Sequence, residues 1–337
     1  MKKKMKLFRN FILFLLLIAL TFYILLKDQD IFAIFTIISS VKIQYVFLAI
    51  ICMTLYIILE AVNIGRTLKQ LNEKTNILNN IKYALIGFFF SSITPAASGG
   101  QPMQIYYMYK DKITIANATL ALLINLTSMQ IVTISVALFS LIFNYKYLNA
   151  ILILCFIVGI ILNFSALLLL IIGVFSKSMS KGLINFAIRV LRFFRVKNID
   201  IKREKFGNEL EKYQQGAIYI KNNKLLIAKI LLTTLIQFLI YYTITYFVYR
   251  AFGLSEYNIL KIVSMQSVLY ATVSGIPSPG AVGVSEGVFT EIFRGIYTKN
   301  LMSSAVLLNR GINFYLFVII SGIITFINHL KIERGNK

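Results

Sequence analysis

Two short stretches of this chain resemble each other, and each breaks the apolar run in which it sits. One is Thr94-Pro95-Ala96-Ala97-Ser98-Gly99-Gly100-Gln101-Pro102; the other is Ile276-Pro277-Ser278-Pro279-Gly280-Ala281-Val282-Gly283-Val284-Ser285-Glu286. All four prolines of the protein fall within them, and the spacing from Pro95 to Gly99 recurs from Pro279 to Gly283. Backbone broken by Pro and Gly at membrane depth is tolerated only where it is buried in protein or lines a cavity. Two such breaks at matching places in two halves of a chain point to a binding site between them.

The membrane itself follows from the apolar runs, several of which reach the ~20 residues needed to cross a bilayer. With 58% hydrophobic residues over 337 positions, the chain is too apolar for a soluble domain. The fold class expected is an all-α integral membrane protein with about six full spans and two Pro/Gly-broken re-entrant elements. A net charge of +22 would suggest nucleic acid in a soluble chain. Here basic residues concentrate in loops that face the cytoplasm, so DNA is not expected, and acidic headgroups are. Cys52 and Cys155 sit alone in apolar spans and His329 at the end of the last one, which leaves no disulfide framework, metal site or cofactor to expect.

Charge fixes the expected topology. Lys2, Lys3, Lys4, Lys6 and Arg9 precede an apolar run at 11–26 with no small-residue cleavage site, so an uncleaved first span with a cytoplasmic N-terminus is expected. Further spans fall at about 43–62, 114–143, 148–175, 225–249 and 301–328. The polar segment 176–224 holds twelve Lys/Arg against four acids and belongs in the cytoplasm, as does the basic tail. Parity allows both only if 83–109 and 262–297 enter and leave on one side. A span kinked at proline is the rival for each. Within the polar segment, 182–196 reads either as a basic interfacial helix or as a plain connector.

The two halves then share one layout in opposite orientation: a first repeat at 43–143 and a second at 225–328, within a single membrane domain. The offsets agree: 182 residues separate Ile43 from Leu225, 184 separate Pro95 from Pro279, and 187 separate Thr114 from Leu301. An inverted-topology repeat is the expectation.

Half-helix N-termini inside the membrane would aim free N–H groups at an anion. Gly99, Gly100, Gly280 and Gly283 would let the backbone approach a ligand closely, and Pro102 and Pro279 would start the returning helices. Ionisable residues at depth are functional candidates, and Arg310 and Glu286 are the main ones. Arg310 suits a phosphate, with Glu286 as counter-charge or partner of a cationic headgroup; the alternative is a structural pair between them. Glu60, near the inner end of its span, reads equally as snorkelling or functional. Gln101 adds a buried hydrogen-bonding group.

These same residues carry a resemblance. Thr94 to Pro102 leading into Tyr106-Tyr107, the stretch Pro277 to Glu286, and Arg310 with Tyr315 and Gly322 resemble the signature stretches of the lysylphosphatidylglycerol synthase transmembrane domain family. The resemblance covers nearly the whole chain. It implies the flippase-like membrane region of a multiple peptide resistance factor. Such a region moves aminoacylated phosphatidylglycerol to the outer leaflet and so repels cationic antimicrobial peptides. In those proteins a C-terminal cytosolic domain transfers lysine from tRNA. This sequence stops nine residues after Asn328, so no such domain is expected here.

The first expectation is therefore a cell-membrane protein that binds or translocates a phospholipid, phosphatidylglycerol or its lysyl derivative. Pro95, Gly99, Gly100, Gln101, Pro102, Pro279, Gly280, Gly283, Glu286 and Arg310 form its lipid site. The alternative is a phosphatidylglycerol lysyltransferase, or a membrane subunit of one; only that reading brings in tRNA as a partner. A scaffold for a separately encoded synthase is the third.

Overall fold

The computed structural model describes residues 36–94, 97–175, 199–276 and 278–335. The expected first span at 11–26, the stretch 182–196, Pro95 and Pro277 lie outside the described residues. Among those described, all regular structure is helical: α1 (Ile43–Gln70), α2 (Ile77–Ile93), α3 (Gly100–Lys110), α4 (Ile115–Asn144), α5 (Ala150–Phe175), α6 (Ile199–Asn222), α7 (Lys224–Ala251), α8 (Ile259–Val273), α9 (Val284–Ile292), α10 (Lys299–Arg310) and α11 (Leu316–Gly335). A π-helical turn, Gly311–Tyr315, joins α10 to α11.

Five of these segments are long and apolar enough to cross a bilayer: α1, α4, 150–174 of α5, α7, and 299–331 through α10 and α11. The shortest has 25 residues, about 38 Å of helix against a hydrocarbon core of about 30 Å. Exposed Leu154, Ile161 and Leu169 on α5, and Ile319, Ile323 and Phe326 on α11, give an apolar outer surface suited to lipid. Local chemistry sets where helices begin. Asn76, Thr114, Asn223 and Asn258 each cap the following helix by accepting the N–H three residues on.

The first helices of the two halves, α1 and α7, lie antiparallel. At one end the Lys42 N–H donates to Ala251 O at 2.9 Å. At the other, Asn63 donates to Thr234 Oγ1 and Arg66 to Lys229 O, both at 2.9 Å. Helix α1 runs on to Gln70, eight residues past the expected end of its span. Glu60 lies about 15 Å from the end of the helix, with Arg66 and Lys69 beyond it.

Both broken stretches fold as helical hairpins. In the first, α3 returns along α2: the Gln104 amide donates to Tyr83 O at 3.1 Å, and Lys82 and Tyr83 both bind Asp111 at the mouth. In the second, α9 folds back on α8, and the mouth closes with aromatic rings, Tyr249 against Tyr257 and Tyr297. The first hairpin opens on the face where α1 ends, the second on the face where α1 begins. Each is gripped by the last span of the other half. Asn144 of α4 donates to Ser264 and accepts from Lys261 on α8. Gly322 of α11 lies so close to Phe89 of α2 that a Cβ there would stand 2.9 Å from its ring.

Helix α6 lies across the base of α4, α5 and α7. Its Tyr213 hydroxyl donates to Gly173 O at 2.7 Å, and burial pushes that phenol up to about 12.

Candidate functional site

The hairpin tips meet inside the bundle. Val282 of the second tip packs in one apolar cluster with Phe90 and Ile93 of the first hairpin and with Phe314 of the π turn. Directly beside them sits an ion pair. Arg310 Nε donates to Glu286 Oε1 at 2.8 Å, and an Arg310 terminal nitrogen donates to Gly280 O at 2.9 Å. Arg310 is 8% exposed and Glu286 2%. The second oxygen of Glu286 accepts the Gly283 N–H at 2.8 Å, capping α9. Tyr315 donates to Oε1 at 3.4 Å, and the guanidinium carbon stands 4.2 Å from the Phe314 ring centre.

The π turn explains why one carboxylate receives both Arg310 and Tyr315. Residues five apart share a face only when the helix is widened from 3.6 residues per turn, as a π turn does. A continuous sixth span was expected here; the widened turn replaces its middle and serves the pair. Of the two readings of Arg310 and Glu286, the geometry matches the mutual pair, with the carboxylate filled by three donors.

The glycines approach protein rather than open space. A Cβ on Gly100 would meet Ser91 Oγ at 2.1 Å and Gly87 O at 3.0 Å, so the hairpin legs require glycine there. Gly280, at φ +59°, would push a Cβ to 2.1 Å from the Phe314 ring. The prolines also differ from expectation. Pro102 sits third in α3, not first, and is exposed; Pro279 begins a 3₁₀ turn, Pro279–Ala281, whereas the returning helix starts at Val284. Three residues of turn and the Gly283 cap are needed before the chain can reverse onto α8. Gly99 is half-buried and accepted by Thr94, whose Oγ1 takes its N–H at 2.9 Å, and Gln101 is half-buried beside it.

A second polar cluster lies one layer away. Glu60 is half-buried and lies one helical turn after Tyr56 on α1. Tyr241 stacks obliquely on Tyr56 at 4.9 Å and edge-on to Tyr270 at 5.6 Å. These tyrosines escaped the sequence reading. The available signal was position: tyrosine favours membrane interfaces, yet Tyr56 and Tyr241 stand well inside their spans. Around both clusters, polar atoms are left over. Ser278 Oγ, Asn313 Oδ1 and both amide atoms of Gln237 are buried without a hydrogen-bond partner, a costly state in an interior. A cavity of about 300 Å³ lies apart from them at the mouth of the second hairpin, beside Tyr257, Lys261 and Arg294.

A family model described as the lysylphosphatidylglycerol synthase TM region matches residues 11–321. The chain belongs to that family. A search of curated proteins finds no match. Membership in the lysylphosphatidylglycerol synthase family agrees with the multi-pass helical architecture. It also supports a membrane role in the pathway for which the family is named.

Proposed function

We propose that this protein holds a phospholipid, phosphatidylglycerol or its lysyl derivative, between the two hairpin tips and carries it from one leaflet to the other. One observation carries the reading: two helical hairpins enter from opposite faces and meet at a buried Arg310–Glu286 pair among unsatisfied polar atoms. A lipid headgroup crossing the bilayer needs polar partners at mid-depth, since each unmet polar group in hydrocarbon costs several kcal/mol. The two halves act as an inverted repeat, and movement of one against the other opens the site to each side in turn. Both termini and the basic segment 176–224 face the cytoplasm of the cell membrane. Lipid delivered to the outer leaflet lowers its negative charge and with it the binding of cationic antimicrobial peptides. The lysyl group is added by an aminoacyltransferase activity that this chain receives lipid from.

The test is a leaflet-protection assay in proteoliposomes, with fluorescent phosphatidylglycerol and its lysyl derivative. Protein-dependent loss of protection, reduced at least tenfold by Glu286→Gln in a protein of unchanged helicity, is the expected result. Lipid that stays put, with lysylphosphatidylglycerol formed on adding charged tRNA, would replace this reading by the lysyltransferase one.

A further inference from the structure

The last span serves both hairpins, and its winding changes between the two. Before the change, α10 packs on the second hairpin. Met302, Ala305 and Val306 share an apolar cluster with Phe289, Ile292 and Phe293, and Arg310 bonds Glu286 and Gly280 O. Beyond the change, α11 runs along α2 of the first hairpin. Val318 joins the cluster of Ile86, Phe90 and Ile93, and Gly322 abuts Phe89. Between the two lies the π turn Gly311–Tyr315, where the Leu316 N–H donates to Gly311 O, five residues back.

π turns inside α-helices gather at functional sites. No proline accounts for this one, since the last span has none. The turn holds one residue more than an α-helix would use over the same length, and Gly311 sits where the chain has room: nothing lies within 4 Å of where its Cβ would stand. Taking the extra residue up into α geometry would turn α11 against α10 by about 100° and shift it about 1.5 Å. Phe314 is placed to register that change. Its ring fills the space beside Gly280 on the second tip, where a Cβ would stand 2.1 Å away, and lies 6.2 Å centre to centre from the ring of Phe88 on α2. The Arg310 guanidinium lies over its face at 4.2 Å. One side chain within the turn thus touches both hairpins and the ion pair. The first helices offer the hairpins no such freedom, because α1 and α7 are bonded at both ends, Lys42 to Ala251 and Arg66 to Lys229.

We infer that Gly311–Tyr315 is a mechanical joint coupling the two hairpins. Wound wide, it keeps Phe314 between the tips and holds them together. Rewound as α-helix, it withdraws Phe314, parts the tips and turns α11 with the first hairpin, while α10 stays with the second. The purpose of the joint rests on the lipid-carrying reading; its motion does not.

Deletion of Gly311 is the direct probe. It leaves Arg310 and Tyr315 four residues apart, the spacing at which an ordinary α-helix puts two side chains on one face. Both still reach Glu286, now without the wide turn, so the joint is locked with the pair intact. Gly311→Ala is the control, because it keeps the length and its Cβ meets open space. Full-length protein with Cys52 and Cys155 replaced by alanine is spin-labelled through Lys69→Cys on α1 and Phe326→Cys on α11, both exposed positions. Distances are read in phosphatidylcholine nanodiscs with and without phosphatidylglycerol. The wild type and Gly311→Ala are expected to show two distances, and the deletion variant only one of them. Phe314→Ala keeps the chain length and empties the space between the tips, so it is expected to shift the populations toward the other distance. That variant also decides the matter should the deletion fail to fold. A single distance in the wild type, two in the deletion variant, or populations indifferent to Phe314→Ala each overturns the joint. Leaflet exchange is followed in the same variants. Its loss in the deletion variant, alongside the single distance, ties the joint to transport. Two distances in a wild type that moves no lipid would keep the joint and sink the carrier reading. Full exchange in a deletion variant with one distance would sink the coupling and keep the carrier.

Discussion

The two hairpins look alike in sequence and are secured in opposite ways. The second is fastened at its tip. Glu286 and Arg310 lock the turn from one side, and Asn163 of α5 holds its base, donating to Ala271 O and accepting from Ser274, each at 3.0 Å. The first has no charge at its tip. Thr94 does the fastening there, accepting from the Gly99 N–H and donating to Phe90 O at 2.6 Å, while Ala97 and Ser98 stand exposed. At the mouths the pattern reverses. The first mouth is closed by charge, through Lys82, Tyr83 and Asp111; the second by a nest of aromatic rings including Phe289, Phe293 and Tyr297. What this teaches is a division of labour. A tip held by a buried ion pair is a fixed wall, whereas the described part of the first tip is held by the neutral hydroxyls of Thr94 and Ser91 and is the looser of the two.

The largest expected effect comes from breaking the fixed wall. Arg310→Met leaves Glu286 buried without its cation, and losing one partner of a buried pair costs about 3–5 kcal/mol. The double change Arg310→Met with Glu286→Gln removes both charges and should recover more than half of that loss. Denaturation in detergent, followed by helicity, measures both. A single change that is no worse than the double would show that the pair does not bear the second tip.

A smaller effect is expected at the first tip. Thr94→Val keeps the shape but leaves the Gly99 N–H and the Phe90 carbonyl without the hydroxyl, at about 1–2 kcal/mol. The damage should stay local. Hydrogen exchange should quicken at Gly99 and the first turn of α3, and stay unchanged in α9, where Glu286 still caps. Equal quickening at both tips would mean that they move as one body, and the contrast between them would fall.

That contrast was only half legible in the sequence. Apolar run lengths sufficed for the five spans, because spanning a bilayer depends on little besides length and polarity. Charge parity was enough to fold both broken stretches back, since it is a global property that local errors do not disturb. The doubled Pro/Gly pattern marked the tips but not how they are held. Thr94 carries no signature distinguishing a cap from any other threonine, and Tyr56, Tyr241 and Tyr270 come from three distant segments that only packing brings together. The π turn at 311–315 left no trace either; it arises from a tertiary demand, that Arg310 and Tyr315 reach the same carboxylate.

The smallest effect tests the mouths. Lys82 and Asp111 are partly exposed, with side chains 19% and 31% accessible, and an ion pair so placed is worth only about 0–1 kcal/mol. Lys82→Gln should therefore cost less than about 1 kcal/mol, and the cost should fade as salt rises, because charges at an exposed mouth are screened within about 8 Å at physiological ionic strength. Tyr83 still donates to Asp111 in that variant, so the hairpin stays closed. The Arg310 variant should show no such salt dependence, since its pair is shut away from ions. Measured side by side across a salt series, the two curves separate a charge that trims the mouth from one that builds the wall. If Lys82→Gln proved as costly as Arg310→Met and as indifferent to salt, the first hairpin would be bolted at its mouth as firmly as the second is at its tip. Its tip would then be a hinge swinging about a fixed base rather than the weaker end of a loose arm.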